Sequence, residues 1–253
     1  MSDISDVTAI VTWIGLTFVA AGLIKGVVGM GLPTFAMGVL SLVMAPAAAA
    51  AMLVVPSLVT NIWQLLAGPA FGALLRRLAT MMLAVFAGTI LGIGVLTGQS
   101  VSLAGATLGV VLALYGAVGL AAPQFAVPAK VEPWLSPVIG LVTGLVTGAT
   151  GVFVIPAVPY LSSLGLSKEE LIQALGLSFT VSTVALACAL SLSGQFQLAT
   201  ASNSLLAVVP ALVGMFIGQR VRSKLQPEAF RRWFFSGLVA LGVYMIVRVL
   251  GTR

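Results

Sequence analysis

Polar side chains at helical spacing lie inside otherwise apolar segments, where they could bind a solute. The first set follows i, i+3, i+4 and i+7, so its members share one face of a helix: Ser57, Thr60, Asn61 and Gln64. A second apolar segment carries a comparable set: Ser178, Ser182 and Thr183. Such a face either lines a cavity or joins helices by hydrogen bonds, and the sequence leaves both open. Hydroxyls also bond to carbonyls of their own helix, so the amides of Asn61 and Gln64 favour the cavity.

Lys25 adds a positive charge to an apolar run. At the centre of a bilayer a lysine costs about 3 kcal/mol or more, so there it faces a cavity or a partner and has a function. If residues 7–24 form one full span, Lys25 instead lies near the membrane surface and extends its ammonium group to the headgroups. The interior position predicts an anion site, whereas the surface position predicts none.

The segment around Lys25 occurs again later in the chain. Residues 22–29 read GLIKGVVG and residues 144–151 read GLVTGATG, an offset of 122 residues that pairs Lys25 with Thr147. Glycine-broken apolar segments at equivalent places in two halves are typical of transporter binding sites. Besides Lys25, the motifs supply these predicted substrate-binding residues: Gly26, Gly29, Thr147, Gly148 and Gly151. Small residues at this spacing also pack helices against each other, which is the alternative.

The elements that would carry these residues are short in the second half. Segments 135–147 and 149–160 give about 20 Å of helix each, against a hydrocarbon core of about 30 Å. They predict a hairpin that enters and leaves by one face of the membrane, with its glycine-rich tip near the midplane. The equivalent part of the first half, residues 7–44, forms either full spans or a second hairpin.

Composition places these segments in a membrane. Sixty per cent of the residues are apolar and 7% are charged, whereas a soluble domain carries about 25% charged residues. The offset continues outside the motif, where it pairs Ser41 with Ser163 and Gly92 with Gly214. The predicted fold is an all-α polytopic membrane protein with two repeats of about five segments each. The repeats are residues 1–122 and 135–253, joined by a linker at 123–134.

Charge predicts how the two repeats are oriented. Basic residues cluster in loops, which stay on the cytoplasmic side: Arg76, Arg77, Arg220, Arg222, Lys224, Arg231 and Arg232. The corresponding loops of the other repeat are uncharged, so equivalent loops lie on opposite sides and the repeats are inverted. The same placement accounts for the net charge of +6 without a nucleic-acid partner.

Several kinds of chemistry are missing from the sequence. It has no histidine, and every aspartate and glutamate lies in a predicted tail or loop. No metal-binding, phosphate-binding or nucleophile motif occurs. The sequence therefore predicts no enzyme, no metal site and no cofactor, and an intramembrane enzyme is the weakest of the alternatives.

The duplicated motifs resemble those of a known family. Residues 22–33, GLIKGVVGMGLP, and residues 144–156, GLVTGATGVFVIP, are similar to the glycine motifs of the TauE/SafE sulfite-exporter family. The tract 163–183, SLGLSKEELIQALGLSFTVST, resembles the stretch that follows them. The second motif departs from the family at Val152 and Phe153, where glycines often stand. The resemblance implies transport of small sulfur-containing anions, such as sulfite or an organosulfonate, across the bacterial inner membrane.

Residues and resemblance together predict a multi-pass transporter that moves a small sulfur-containing oxyanion by alternating access. Its partners would be that anion and the lipid bilayer. The direction of transport, the coupling ion and the oligomeric state stay open. Two alternatives remain: a carrier or channel for another small solute, and a membrane structural or assembly protein whose glycines only pack helices.

Overall fold

The computed structural model describes residues 2–98, 100–121, 126–196, 204–222 and 227–251. Within these ranges the regular structure is helical: α1 (Ser2–Val28), α2 (Leu32–Leu40), α3 (Pro46–Leu66), α4 (Phe71–Thr97), α5 (Val101–Ala121), α6 (Glu132–Thr150), α7 (Ala157–Ser162), α8 (Lys168–Leu192), α9 (Val208–Val221) and α10 (Pro227–Gly251). Eight helical segments of the described chain are long and apolar enough to cross a membrane. The prediction of an all-α, multi-pass membrane protein is confirmed.

The two short helices each follow a glycine turn, but the turns lie later than predicted. Helix α1 is a single helix, and its apolar part, Thr8–Val28, is long enough to span. The first glycine turn, residues 29–31, has two glycines with positive φ, +85° at Gly29 and +102° at Gly31. Glycine adopts this left-handed conformation readily, which lets the chain reverse into α2.

The second hairpin also differs from the predicted pair of equal arms. Helix α6 does not end at residue 147 but continues to Thr150 and has 19 residues, about 28 Å. The second glycine turn, residues 151–156, begins at Gly151 with φ +70°. The predicted arm at 149–160 is therefore wrong, because half of it is this turn and only residues 157–160 belong to α7. Helix α6 begins at Glu132, within the predicted linker, with Pro133 in its first turn; linker residues 123–125 lie outside the described residues.

Glycines bring four of the long helices into close contact. Cβ atoms added to Gly22 and Gly26 would overlap the carbonyl oxygens of Ala211 and Met215, so α1 and α9 run parallel with touching backbones. The same holds for α6 and α4, where added Cβ atoms would overlap backbone carbonyls. The packing role that the sequence left open is therefore real for these pairs: Gly22 and Gly26 on α1, Gly144 and Gly148 on α6.

The remaining long helices pair in antiparallel fashion. Gly109 of α5 faces Gly242 of α10, and Gly116 faces Phe235, so these helices run in opposite directions. Helix α3 is also antiparallel to α8, since Asn61 bonds to Thr183 whereas Gln64, later in α3, bonds to Ile172, earlier in α8. Helices α3 and α8 therefore run in opposite directions, as α5 and α10 do.

Hydrogen bonds define one end of the bundle. Gln173, near the start of α8, donates to the carbonyls of Leu65 and Gly68 at 2.8 and 2.7 Å, and accepts from the Ala70 N–H at 2.7 Å. The start of α8 therefore packs on the turn from α3 to α4. Arg77 of α4 forms a two-bond ion pair with Glu132 at the start of α6, at 2.6 and 2.7 Å. We call this the basic end, because six of the described arginines lie at helix ends here: Arg76, Arg77, Arg220, Arg222, Arg231 and Arg232. Arg248 lies at the opposite end. Lys224 lies outside the described residues.

Pro56 interrupts the hydrogen bonding of α3. Proline has no N–H, so the carbonyl four residues earlier loses its helical donor. That carbonyl belongs to Met52, and the Ser204 hydroxyl donates to it at 2.6 Å while accepting from the Val55 N–H at 3.2 Å. The freed carbonyl is thus satisfied by the segment before α9 and lies away from Asn61 and Gln64.

We expect Gly22→Ala to lower the thermal stability of the purified protein. The new methyl group would have to separate α1 from α9, and overpacking of this kind costs about 1–3 kcal/mol. Gly15→Ala is the matched control, because it lies on the same helix with nothing within 4 Å of an added Cβ. Equal melting temperatures for the two variants would contradict the close packing of α1 on α9.

Candidate functional site

Lys25 reaches from the last turn of α1 into the protein. Its side chain is only 4% exposed, and its ammonium group donates to Thr60 Oγ1 at 3.2 Å and to Asn61 Oδ1. Both partners belong to the polar face of α3. A lysine at the membrane surface would extend its charge toward the headgroups, so that alternative is wrong. The role of Lys25 in substrate binding stays a prediction.

No carboxylate balances the charge of Lys25 among the side chains that the structure describes. Among the residues whose side chains the structure describes, its hydrogen-bond partners are the two neutral side chains of α3. Glu132 is engaged by Arg77 instead. A buried cation beside neutral acceptors is incompletely compensated, and a bound anion would supply the missing charge.

Asn61 connects this cation to the second half. Its oxygen faces Lys25, and its Nδ2 donates to Thr183 Oγ1 of α8 at 3.2 Å. The two residues are separated by the repeat offset of 122. The Thr183 hydroxyl in turn donates to the Phe179 carbonyl at 2.7 Å. The orientation of the Asn61 amide is therefore set from both sides.

Three predicted site serines are buried without a partner. The Oγ atoms of Ser57, Ser178 and Ser182 have no hydrogen-bond partner among the described residues, and all three side chains are fully buried. The threonines beside them do bond to helix carbonyls, as Thr60 does to Pro56 at 2.9 Å. A buried hydroxyl left unpaired costs about 1–3 kcal/mol, so these groups are available donors for a polar ligand.

Sequence reasoning missed a fourth hydroxyl of this kind. Thr34 Oγ1 is buried and unpaired within the described chain, in the first turn of α2. The sequence does contain a feature that indicates this position. Thr34 follows Gly31, a turn glycine, and Pro33, a residue suited to the first turn of a helix.

A cavity of about 140 Å³ lies directly beside Lys25. It brings together four predicted substrate-binding residues, Lys25, Gly26, Gly29 and Gln64, with Thr60 of the same polar face of α3. Ser57, Asn61, Ser178 and Ser182 do not line it. Gln64 donates to the Ile172 carbonyl at 3.0 Å, and its Oε1 has no partner in the described part of the chain. The sequence did not predict that Gln219 of α9 and Arg222, which directly follows α9, line the same cavity.

The predicted residues of the second motif do not line this cavity. Thr147 is buried and donates to the Thr143 carbonyl at 2.7 Å, and Gly148 packs against α4. Gly151 lies against α2, with an added Cβ 3.0 Å from Met37 Sδ. These three positions lie outside the cavity beside Lys25, and their roles in substrate binding stay predictions.

Two backbone N–H groups of the glycine turns already have hydrogen-bond partners. The N–H of Gly29 donates to the Lys25 carbonyl and that of Gly151 to the Thr147 carbonyl, both at 2.7 Å. These two amides are therefore not free to bind an anion in this conformation. Side-chain donors are the better candidates.

The comparisons with known proteins agree with this architecture. A sequence model described as "Sulfite exporter TauE/SafE" matches residues 14–245, nearly the whole chain. The chain belongs to the TauE/SafE family. No curated protein and no solved structure matches it. A TauE/SafE protein with eight apolar segments is a multi-pass membrane protein, and its family indicates a transporter.

Proposed function

We propose that this TauE/SafE protein carries a small sulfur-containing oxyanion, sulfite or an organosulfonate, across the bacterial inner membrane by alternating access. The observation that carries the proposal is the buried ammonium group of Lys25, which has neutral partners only in the described chain. An ammonium group has three donors, and Thr60 and Asn61 take two. The third is left for an oxygen of the anion.

Unpaired polar groups near α3 and α8 complete the proposed site. The charged group of a sulfite or sulfonate presents several acceptor oxygens. The buried hydroxyls of Ser57, Ser178 and Ser182 each offer a donor that nothing else uses among the described residues. These serines do not line the cavity beside Lys25 but offer further donors on the same two helices, which an anion would use and a neutral apolar solute would not.

The opposed helix directions support alternating access between two inverted repeats, residues 1–122 and 135–253. Helices α1 and α9 pair through glycines as α6 and α4 do, and α3–α8 and α5–α10 pair antiparallel across the halves. Movement of one repeat against the other would expose the site on each side in turn. With the basic end in the cytoplasm, an exported anion gains about 2.3 kcal/mol per charge per 100 mV, so export needs no coupling ion.

The test is ligand-induced thermal stabilisation of the purified protein. Sulfite, sulfate, thiosulfate and an alkyl sulfonate would be compared with a neutral sulfone of similar size. A ligand at 100 times its Kd stabilises by about 2.7 kcal/mol, which is readily measured as a shift in Tm. We expect a shift with at least one sulfur oxyanion and none with the sulfone. Stabilisation by the sulfone alone, or by no compound, would contradict the proposal and favour a neutral-solute carrier or an assembly protein.

A further inference from the structure

The cavity beside Lys25 lies at the basic end of the bundle. Its lining comes from the ends of α1, α3 and α9 and from the first turns of α8. All of these helix ends lie at the basic end, as the Gln173 hydrogen bonds establish for α3 and α8. The cavity therefore runs from the buried ammonium group toward the side that carries the arginines.

Gln219 of α9 and Arg222, which directly follows α9, line the cavity at successive distances along the helix axis. An added Cβ on Gly26, the neighbour of Lys25, would lie 2.8 Å from the backbone nitrogen of Gln219, so Gln219 starts at the level of the lysine. Arg222 lies three residues further toward the basic end, about 5 Å along the helix axis. Its side chain is exposed and still lines the cavity.

We infer that Gln219 and Arg222 form the anion entrance at the basic end, and that the structure stands in the conformation in which the Lys25 site is reached from that end. This inference rests on the proposed function. Arg222 raises the local concentration of anions at the mouth, as a charged cleft does for an oppositely charged ligand. Its planar guanidinium group also matches the oxygens of an oxyanion.

The other arginines of the basic end do not share this position. Arg77 is held by Glu132 and by the Leu164 carbonyl. Arg231 and Arg232 are exposed at the start of α10 but do not line the cavity. Arg222 has the same charge as Arg231 but, unlike Arg231, it lines the cavity. A substitution at Arg231 is therefore a matched control for one at Arg222.

The opposite end has a cavity of its own, which does not meet the first. It has a volume of about 450 Å³ and is lined by residues such as Ser41, Ser102 and Arg248. The two cavities share no lining residue. The hydrogen bond from Asn61 to Thr183 lies further from the basic end than Gln64 and Ile172, which line the first cavity. Access to Lys25 in this conformation is therefore from the basic end.

The first experiment compares Arg222→Glu with Arg231→Glu in sulfite transport by proteoliposomes of known orientation. We expect Arg222→Glu to raise the KM for sulfite presented at the basic end by at least about tenfold, with kcat little changed. Added salt should reduce the difference from wild type, because salt screens charges over about 10 Å. Saturating sulfite should still stabilise the Arg222→Glu protein. Identical KM values for the two variants, or loss of stabilisation at saturation, would overturn the inference.

A second experiment reports on access without using an anion. The chain has a single cysteine, Cys188, so Cys188→Ser gives a background for Gln219→Cys. A membrane-impermeant maleimide should label this variant from the basic end, in inside-out vesicles, and not from the opposite end in intact cells. Labelling from the opposite end only would overturn the assigned conformation. If no anion stabilises the wild type, the proposed function fails, whereas the labelling result still decides the direction of access.

Discussion

Replacing Lys25 by alanine is expected to abolish sulfite-induced stabilisation and transport while leaving the fold intact. Truncating one member of a buried charge pair costs about 2–5 kcal/mol of binding, which corresponds to a loss of affinity of about 30-fold to several thousandfold. The neighbours of Lys25 keep other partners: Thr60 bonds to the Pro56 carbonyl and Asn61 to Thr183. Because the removed charge had no carboxylate partner in the described chain, the Tm without ligand should be maintained or raised.

The measurements are the Tm with and without saturating sulfite and the rate of sulfite uptake into proteoliposomes. Lys168→Ala is the matched control, because it removes the same charge from an exposed position at the start of α8. We expect wild-type stabilisation and transport for this control. Wild-type behaviour of Lys25→Ala would show that the buried ammonium group does not bind the substrate.

The polar face of α3 could be predicted from the sequence because it depends on helical periodicity alone. Thr60, Asn61 and Gln64 do lie together, beside Lys25. The depth of Lys25 could not be predicted, because it depends on which glycine breaks the helix. Gly22 and Gly26 stay within α1 because the backbone of α9 packs against them. The turn begins only at Gly29, so tertiary packing decided between glycines that look alike in sequence.

The second half shows a different limit of the sequence. A constant offset of 122 pairs Gly92 with Gly214, but their surroundings do not match. Gly88 faces Leu141 as Gly214 faces Val19, so the packing equivalence is Gly88 with Gly214, an offset of 126. Four extra residues between the motif and this helix are enough to shift the alignment. A short apolar repeat locates equivalent segments more reliably than equivalent residues.

Contacts between distant parts of the chain left no local signal. Ser204 bonds to Met52 across 152 residues, and Gln173 bonds to Leu65 across 108. Arg222 was assigned to membrane topology because basic loops generally have that role. Only the parallel packing of α9 on α1 places it at the mouth of the cavity beside Lys25.

Asn61→Asp is expected to abolish sulfite binding without removing Lys25. Aspartate has nearly the shape of asparagine. One oxygen of its carboxylate would lie where Asn61 Oδ1 now accepts a hydrogen bond from the Lys25 ammonium group. The substitution places a permanent anion beside the cation, so a second anion meets a neutral pair. We expect a loss of sulfite affinity comparable to that of Lys25→Ala, about 30-fold or more.

The stability of this variant distinguishes charge compensation from simple damage. A buried cation that gains an ion-pair partner is better compensated, so the Tm of Asn61→Asp without ligand should exceed that of the wild type. Asn61→Leu is the matched control, since it removes the same hydrogen bonds to Lys25 and Thr183 without adding charge. Asn61→Leu should lower the Tm. It should also weaken sulfite binding, but by less than Asn61→Asp does. Wild-type sulfite affinity in Asn61→Asp would mean that the anion binds elsewhere and that the Lys25 charge is not what attracts it.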